Sequence, residues 1–150
     1  MGTESKLVKK LRQHEKIGLD TSIFIYQFEG SAYSKLTGDI FESIERGICR
    51  AFVSTLVLTE VLVRPFSEKD TKMVDVYNNL FKTWPNLSVV EVSPEIAVEA
   101  ARMRTEHNIK TPDAIILATT TLSGGTLFIT NEQKLKRLGE IEVLILGDYI

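Results

Sequence analysis

Asp20 interrupts an almost wholly apolar stretch that covers residues 16–26. A short apolar run of this kind predicts a buried strand, and the following Thr21 and Ser22 are typical of a turn or a helix N-cap. The sequence therefore predicts that Asp20 lies where a buried strand passes into a helix. An unpaired charge at such a point costs several kcal/mol unless another group neutralises it.

Three further acids occupy similar positions in the sequence. Glu60 has Val57 three residues before it and Val63 three residues after it, so it shares a helix face with apolar side chains. Asp113 opens a helical pattern whose next turn is apolar, and Glu132 directly follows an apolar strand pattern. Each acid taken alone is also explained as a helix cap, a first-turn acid or a solvated side chain. Together they favour a shared site.

The chemistry expected of such a site is the binding of a hard divalent cation. Converging carboxylates repel one another, which raises some of their pKa values. Mg²⁺ or Mn²⁺ would remove this conflict, because both accept oxygen ligands and keep waters for a substrate phosphate. His14 and His107 lie outside the acidic segments and Cys49 is the single cysteine, which disfavours a zinc site. We therefore expect Mg²⁺ or Mn²⁺ to be bound by the four acids.

The elements that must position these acids alternate between strands and helices along the whole chain. Strand patterns end at residue 20 and cover residues 51–53, 87–92, 126–130 and 142–146; helical patterns cover residues 33–46, 56–63, 73–81, 94–107, 113–122 and 134–138. This alternation predicts an α/β protein, a three-layer α/β/α arrangement around a parallel sheet of about five strands. The carboxyl ends of such strands form the edge where ligands bind.

Turn and cap residues set the expected boundaries. Arg64-Pro65 predicts the end of the helix that carries Glu60, because the residue before a proline disfavours helical geometry. Ser93-Pro94-Glu95 and Thr111-Pro112-Asp113 both carry the signal of a helix start, with a capping hydroxyl, a proline and an acid in the first turn.

The composition is that of an ordinary globular protein with no global basic field. The 150 residues are 43% hydrophobic with a net charge of −2, so contacts with nucleic acid must be local or mediated by metal. No apolar run reaches the roughly 18 residues of a membrane span, and the first sixteen residues lack the apolar centre of a secretory signal. We expect a cytoplasmic protein, with residues 1–15 as a lead-in of weak helical pattern and residues 16–150 as one domain.

Four segments in order carry a resemblance to a known family: Ile17–Ser22, Ser54–Val61, Thr111–Ala118 and Phe128–Glu132. In this order and spacing they resemble the PIN-domain nucleases, particularly the small single-domain VapC-like toxins. The resemblance implies an acidic pocket at the carboxyl ends of a parallel sheet and Mg²⁺- or Mn²⁺-dependent cleavage of RNA. It also implies a homodimer and a small antitoxin protein as partner.

The resemblance assigns roles to individual residues. Asp20, Glu60 and Asp113 fall on the family's metal-coordinating acids, and Thr130 falls on the hydroxyl position beside the site. Glu132 falls on a fourth acid that is typically Asp, and its extra methylene moves the carboxylate by about 1.5 Å. The fourth acid is thus where this chain departs from the family's pattern.

Supporting roles are expected for residues beside the acids. Thr21, Ser22 and Asn131 could orient ligands or contact phosphate, and the two hydroxyl residues are equally plausible as caps. Lys110, Lys134, Lys136 and Arg137 are candidates for binding the phosphate chain of the substrate. For the last three, a solvated helix face is the favoured alternative.

Other phosphate-binding families fit less well. A haloacid-dehalogenase-type phosphatase needs a second Asp two residues after the first, where this chain has Ser22. A receiver domain needs paired acids at the end of the first strand. Gly124-Gly125 precedes a strand rather than a helix, unlike a nucleotide-binding loop. A PIN-like RNA-binding or scaffold module with weak or no catalysis is the alternative that the sequence leaves open.

Overall fold

The computed structural model describes residues 3–150. Five parallel strands form one sheet in the order β3-β2-β1-β4-β5. Their bounds are Lys16–Leu19 for β1, Arg50–Ser54 for β2, Leu87–Val90 for β3, Leu127–Thr130 for β4 and Glu142–Ile145 for β5. The predicted parallel five-stranded α/β sheet is confirmed.

Seven α-helices connect or flank these strands in the described part of the chain: α1 Lys6–Leu11, α2 Thr21–Phe28, α3 Ser34–Glu45, α4 Thr55–Ser67, α5 Thr71–Thr83, α6 Pro94–His107 and α7 Thr111–Leu122. Two short 3₁₀ turns, Gln133–Leu135 and Leu146–Tyr149, follow β4 and β5. Strand order runs outward from β1 through β2 to β3 and then returns to β4 on the other side of β1. Because connections between parallel strands are right-handed, this reversal places the later helices on the opposite face of the sheet.

The centre of the sheet is tightly packed. Ile17 and Leu19 of β1 are fully buried, and a Cβ at Gly18 between them would lie 1.8 Å from Oγ1 of Thr120. The missing side chain at Gly18 therefore lets α7 approach β1 closely. Aromatic rings on the α2–α5 side add edge-to-face contacts, among them Phe24 on Phe41 at 5.2 Å between ring centroids.

Some predicted boundaries are wrong. Helix α4 continues through Pro65 to Ser67 rather than ending at Pro65. A proline inside a helix removes one backbone hydrogen bond, but Pro65 is buried and its carbonyl accepts from Asp70 N at 2.8 Å. Helix α7 begins at Thr111, with Lys110 at the N-cap position, so Thr111 is not the capping hydroxyl that the sequence suggested.

Four further predicted elements differ in extent or type. Strand β3 ends at residue 90 rather than 92, and β4 and β5 are each one residue shorter than predicted. The helix expected over 134–138 is the 3₁₀ turn Gln133–Leu135, whose N-cap is Glu132. Glu132 is therefore a cap rather than a first-turn acid.

Helix α1 packs into the fold rather than standing apart from it. Leu7 and Leu11 are buried, and Nδ1 of His14 lies 2.7 Å from Oγ1 of Thr126 at the start of β4. Met1 and Gly2 belong to the predicted lead-in but lie outside the described residues. The division of the chain at residue 16 stays a prediction. Between residues 3 and 150, no helix is both long and apolar enough to span a bilayer.

Candidate active site

Asp20 lies at the carboxyl end of β1 and caps α2. Its backbone N–H donates to the carbonyl of Ile129 at 2.9 Å, which extends the pairing of β1 with β4 by one residue. Its Oδ1 accepts from the backbone N–H of Thr21 at 2.8 Å. The carboxylate therefore satisfies a helix N-terminus, where the helix dipole favours negative charge.

Thr130 fixes the second oxygen of Asp20. Its hydroxyl donates to Oδ2 of Asp20 at 2.6 Å and accepts from the backbone N–H of Glu132 at 3.0 Å. Thr130 is fully buried at the end of β4. Both carboxylate oxygens of Asp20 are thus oriented, and each keeps a lone pair for a further partner.

Glu60 reaches the same place from α4. Its Oε1 accepts from the hydroxyl of Thr21 at 2.5 Å. The buried positions of the helix include Val57 and Val61, so Glu60 lies at the edge of the buried stripe. The sequence suggested that Val63 shares the buried face, but Val63 is 63% exposed. Thr21 links Asp20 to Glu60, because its N–H binds the first acid and its hydroxyl binds the second.

These groups line one cavity of about 420 Å³ at the carboxyl ends of β1 and β4. We call it the acid cavity, and it is lined by Asp20, Thr21, Ser22, Ile25, Tyr26, Glu60, Thr130, Asn131 and Glu132. Three of the four predicted acids and the four supporting residues, Thr21, Ser22, Thr130 and Asn131, are among them. The cavity lies at the reversal of strand order between β1 and β4, the position at which open α/β sheets bind ligands.

Asp113 lines a second cavity that adjoins the first. This second cavity has a volume of about 220 Å³, and Glu132 lines both cavities. Lys110 and Lys134, the two lysines that the sequence suggested for substrate binding, line it as well. The structure therefore divides the predicted site into two neighbouring spaces that share one carboxylate.

Tyr26 was not anticipated as part of the site. It follows Ser22 by four residues, which places both on one face of α2. Its hydroxyl accepts from Nδ2 of Asn131 at 3.3 Å, and its ring centroid lies 4.9 Å from that of Tyr33. Helical spacing from Ser22 was the available signal, but an aromatic residue in an apolar helix is equally consistent with the core.

The electrostatics of Asp20 reflect burial among like charges. Burial raises the pKa of Asp20, and the charges of Glu60 and Glu132 raise it further. The hydrogen bonds from Thr130 and Thr21 act in the opposite direction and do not fully compensate. Asp20 is therefore a carboxylate whose ionised form is disfavoured by its surroundings.

Asp113 shows the same conflict. Burial raises its pKa, followed by the charges of Asp20 and Glu132. Lys110 and Lys134 lower it by a smaller amount. The acids of the two cavities are therefore close enough to repel one another, as the sequence predicted.

The donor chemistry of the acid cavity fits a hard cation. Carboxylates and threonine hydroxyls supply oxygen atoms only, and neither histidine nor cysteine is among the lining residues. Oxygen donors suit Mg²⁺ or Mn²⁺. A divalent cation bound there would relieve the repulsion that raises the pKa values of Asp20 and Asp113.

Within residues 3–150, a different set of side chains also brings potential metal-ligand atoms together. Ligand atoms of Glu106, His107 and Glu140 all lie within 4.8 Å of one another. The Arg102 guanidinium donates to Glu106 at 2.5 Å and to Glu140 at 3.1 Å, and Nε2 of His107 lies 2.6 Å from Glu140. Because Arg102 already supplies the cation, this set is an ion-pair network that ties α6 to the loop before β5.

Comparisons with known proteins agree with this fold. The structure of VapBC2 from Rickettsia felis, bound to a promoter DNA fragment, matches with a TM-score of 0.69 and 18% identity over 86% of this chain and 97% of that chain. A toxin-antitoxin complex from Klebsiella pneumoniae matches with a TM-score of 0.67 and 24% identity, over 87% and 97% of the two chains. VapC20 of Mycobacterium tuberculosis, a sarcin-ricin loop cleaving toxin, matches with a TM-score of 0.68 and 16% identity, over 85% and 98%.

At these identities the likeness concerns the fold. No curated protein sequence matches the chain. The family model of the PIN domain matches residues 17–141, a region that holds all four predicted acids. The chain therefore belongs to the PIN-domain family.

Proposed function

We propose that the protein is a metal-dependent endoribonuclease that hydrolyses RNA phosphodiester bonds at the acid cavity. The observation that carries this proposal is the placement of Asp20. It is a half-buried carboxylate, oriented through both oxygens, and it lines the same cavity as Glu60 and Glu132 at the reversal of strand order. Asp113 adds a fourth acid from the adjoining cavity. Membership of the PIN-domain family supports a nuclease function for this arrangement.

The four acids, Asp20, Glu60, Asp113 and Glu132, would hold Mg²⁺ or Mn²⁺. When bound, the cation supplies an activated water and stabilises the charge that develops on the leaving oxygen. The chain's own contribution is orientation, because Thr130 holds Asp20 and Thr21 holds Glu60. A nucleophilic side chain is not required. Asn131 supports the wall of the cavity, since its Oδ1 accepts from Gly147 N at 2.9 Å.

Substrate and partners follow from the family and from the similar structures. VapC20 is a sarcin-ricin loop cleaving toxin, which supports RNA as the substrate class. The Klebsiella pneumoniae structure is a toxin-antitoxin complex, which supports a toxin role for this chain and an antitoxin as its partner. The proposal includes a small antitoxin and a cytoplasmic site of action. We further propose a homodimer. The net charge is −2, so the protein as a whole does not attract RNA. A cation bound by the acids would remove their repulsion of the RNA phosphates.

Glu132 favours one alternative function. It stands where the family typically has Asp, so the longer side chain could weaken metal binding and leave an RNA-binding or scaffold module. Cleavage of mixed RNA by the wild type and by Glu132→Asp, each with Mn²⁺ or with chelator, separates the two. We expect the wild type to cut RNA with metal and to stop in chelator. An inactive wild type beside an active Glu132→Asp would establish the scaffold alternative for this chain.

A further inference from the structure

The second cavity carries two lysines that the proposed chemistry does not use. It lies between the C-terminus of α6, the N-terminus of α7 and the 3₁₀ turn after β4, and its lining includes His107, Lys110, Asp113, Glu132 and Lys134. Glu132 is also part of the acid cavity. The two cavities therefore adjoin at Glu132, which forms a shared wall.

Neither lysine is paired with a carboxylate. Within residues 3–150, the ion pairs at 4.0 Å or less include neither Lys110 nor Lys134. Lys136, two residues further along the same turn, does pair with Asp148 at 2.7 Å. The cavity thus presents two free ammonium groups, whereas the neighbouring lysine is already neutralised.

The lysines lie beside acids of the proposed site. Lys110 and Lys134 line the same cavity as Asp113 and Glu132. Without a cation, Asp113 and Glu132 offset the two lysines. When the acids bind a divalent cation, the lysine charges are left uncompensated and the cavity becomes attractive to an anion.

Apart from the two lysines and the two acids, the polar side chains of the cavity are His107 and Asn108, and neither carries a negative charge. Nε2 of His107 is bound by Glu140 at 2.6 Å, and that carboxylate is in turn bound by the Arg102 guanidinium. The cavity therefore holds two unpaired ammonium groups beside carboxylates that a bound cation would neutralise. Lysine is a common partner of phosphate.

We infer that the second cavity is a phosphate subsite, in which Lys110 and Lys134 bind the RNA phosphate next to the one that is cleaved. This inference rests on the proposed nuclease function, because Glu132, which lines both cavities, is one of the proposed metal ligands. The role of the subsite is to hold the single-stranded RNA backbone in register across the two cavities. Such a contact carries little sequence information and is sensitive to salt.

The test measures RNA binding on the Asp20→Asn background at saturating Mn²⁺, where we expect no cleavage and where Asp113 and Glu132, the acids that line the second cavity, remain to bind the cation. Fluorescence anisotropy of a labelled mixed-sequence RNA oligonucleotide is followed with Mn²⁺ over a range of salt. We expect Lys110→Ala and Lys134→Ala each to weaken binding about tenfold, the worth of one charged hydrogen bond. Each should also reduce the slope of log affinity against log salt by about 0.7. Lys134→Arg should retain affinity, and all variants should keep the thermal stability of their parent because both lysines are exposed.

The matched control is Lys136→Ala, which removes the same charge from the same turn but from outside the cavity. Equal losses for Lys134→Ala and Lys136→Ala would overturn the subsite, and so would the absence of measurable RNA binding by any form. In the cleaving protein, Lys134→Ala should raise KM and leave kcat within about twofold, the pattern of lost uniform binding. If no form cleaves RNA but the lysine variants still lose affinity, the nuclease proposal fails while the anion subsite remains.

Discussion

Asp20 combines a structural and a chemical role in one side chain. It caps α2 through Thr21 N and accepts the hydroxyl of Thr130, so its position is set by two elements of the sheet edge. The same surroundings raise its pKa through burial and through nearby acids. The carboxylate is therefore held in place in a setting that a cation would stabilise.

Thr130 should matter for both stability and cleavage. Thr130→Val keeps the shape but leaves Asp20 Oδ2 without its donor and Glu132 N–H without its acceptor. We expect the free energy of unfolding to fall by about 1–3 kcal/mol. Cleavage should fall about tenfold or more, as for other residues that orient metal ligands. Denaturant unfolding and RNA cleavage measure the two effects.

Two substitutions serve as controls for Thr130. Thr130→Ser keeps the hydroxyl and should recover most of the cleavage rate. Thr83→Val removes an exposed hydroxyl that donates to Asn79 O at 2.7 Å, and its effect on stability should stay within about 0.5 kcal/mol. A loss in Thr130→Val no larger than that in Thr83→Val would contradict the role of the buried hydroxyl.

The sequence indicated which elements carry the acids, but not which hydrogen bonds orient them or how they divide between two cavities. Asp20 and Glu132 could be placed because each follows an apolar strand pattern. The bonds of Thr130 to Asp20 and of Thr21 to Glu60 join residues 110 and 39 positions apart, and no local pattern encodes such pairs. The separation of Asp113 into a neighbouring cavity likewise depends on how α7 packs.

At the scale of elements, the contact between β1 and α7 packs the strand that precedes Asp20 against the helix that carries Asp113. Gly18→Ala would place a Cβ 1.8 Å from Thr120 Oγ1. Overpacking of this kind costs about 3 kcal/mol, so a thermal or denaturant melt should show a large loss. Gly38, inside α3, provides the matched control. A Cβ at Gly38 would lie 3.7 Å from Gln27 Oε1, an ordinary contact, so Gly38→Ala should stabilise the protein by about 0.5–1 kcal/mol. Similar stability of Gly18→Ala and wild type would disprove the close packing.

The ion-pair network of α6 should be visible as a pH effect on stability. The Arg102 guanidinium, followed by His107, lowers the pKa of Glu140 from 4.5 to about 2. A carboxyl whose pKa is lowered in the fold adds stability above its unfolded pKa, and this contribution is lost as the pH falls from about 4.5 to about 2. Glu140→Gln should therefore cost about 0.5–1 kcal/mol at neutral pH, the modest value of a largely solvated pair.

Acid unfolding curves measure this difference directly. The gap between wild type and Glu140→Gln should close as the pH approaches about 2. Glu42→Gln is the control, because Glu42 lies in an exposed pair with Arg46 at 3.7 Å and should change stability little at any pH. A gap that stays constant across the acid range would show that the network contributes through packing rather than charge.

Element types were predictable from local patterns, whereas some ends were not. The first strand and the helix over 94–107 follow from apolar runs and cap residues. The helix matches α6, whereas β1 ends at Leu19, one residue before the predicted end. Pro65 is a helix breaker in isolation, yet α4 passes through it because its ring is buried. The end of α4 therefore depends on tertiary packing.

At the scale of the whole molecule, the site exists because strand order reverses at β1. Strands β2 and β3 lie on one side of β1, and β4 and β5 lie on the other. The acid cavity lies where the carboxyl ends of β1 and β4 meet. The alternation of elements predicted a parallel sheet, but strand order is not encoded in any local signal. The adjacency of Asp20 and Thr130 is a consequence of that order.

Metal binding should stabilise the fold in a pH-dependent manner. The pKa values of Asp20 and Asp113 are higher in the folded protein than the 3.8 of an ordinary Asp, so the folded state binds protons more tightly than the unfolded state. Metal-free protein should therefore lose stability as the pH rises from 3.8 through the folded pKa values. Mn²⁺ competes with protons for these acids, so its effect on the melting temperature should be largest at neutral pH. At a concentration of about 100 times Kd the gain is about 2.7 kcal/mol.

Thermal melts with Mn²⁺ or chelator over a pH series test this expectation. The gain should shrink on acidification, starting above the pH at which an ordinary Asp titrates, and should be reduced in Asp20→Asn. A gain that does not depend on pH, or one that Asp20→Asn retains in full, would place the bound metal elsewhere on the protein.

The most direct test of the account is RNA cleavage by wild type and by Asp20→Asn, with Asp75→Asn as the control. Asp75 is an exposed acid on α5, outside both cavities, so its substitution makes the same chemical change far from the site. With Mg²⁺ or Mn²⁺ we expect wild type and Asp75→Asn to cut mixed RNA at equal rates, and Asp20→Asn to be inactive while it keeps its fold. Cleavage by Asp20→Asn at the wild-type rate, or cleavage by wild type in chelator, would contradict the metal-dependent mechanism.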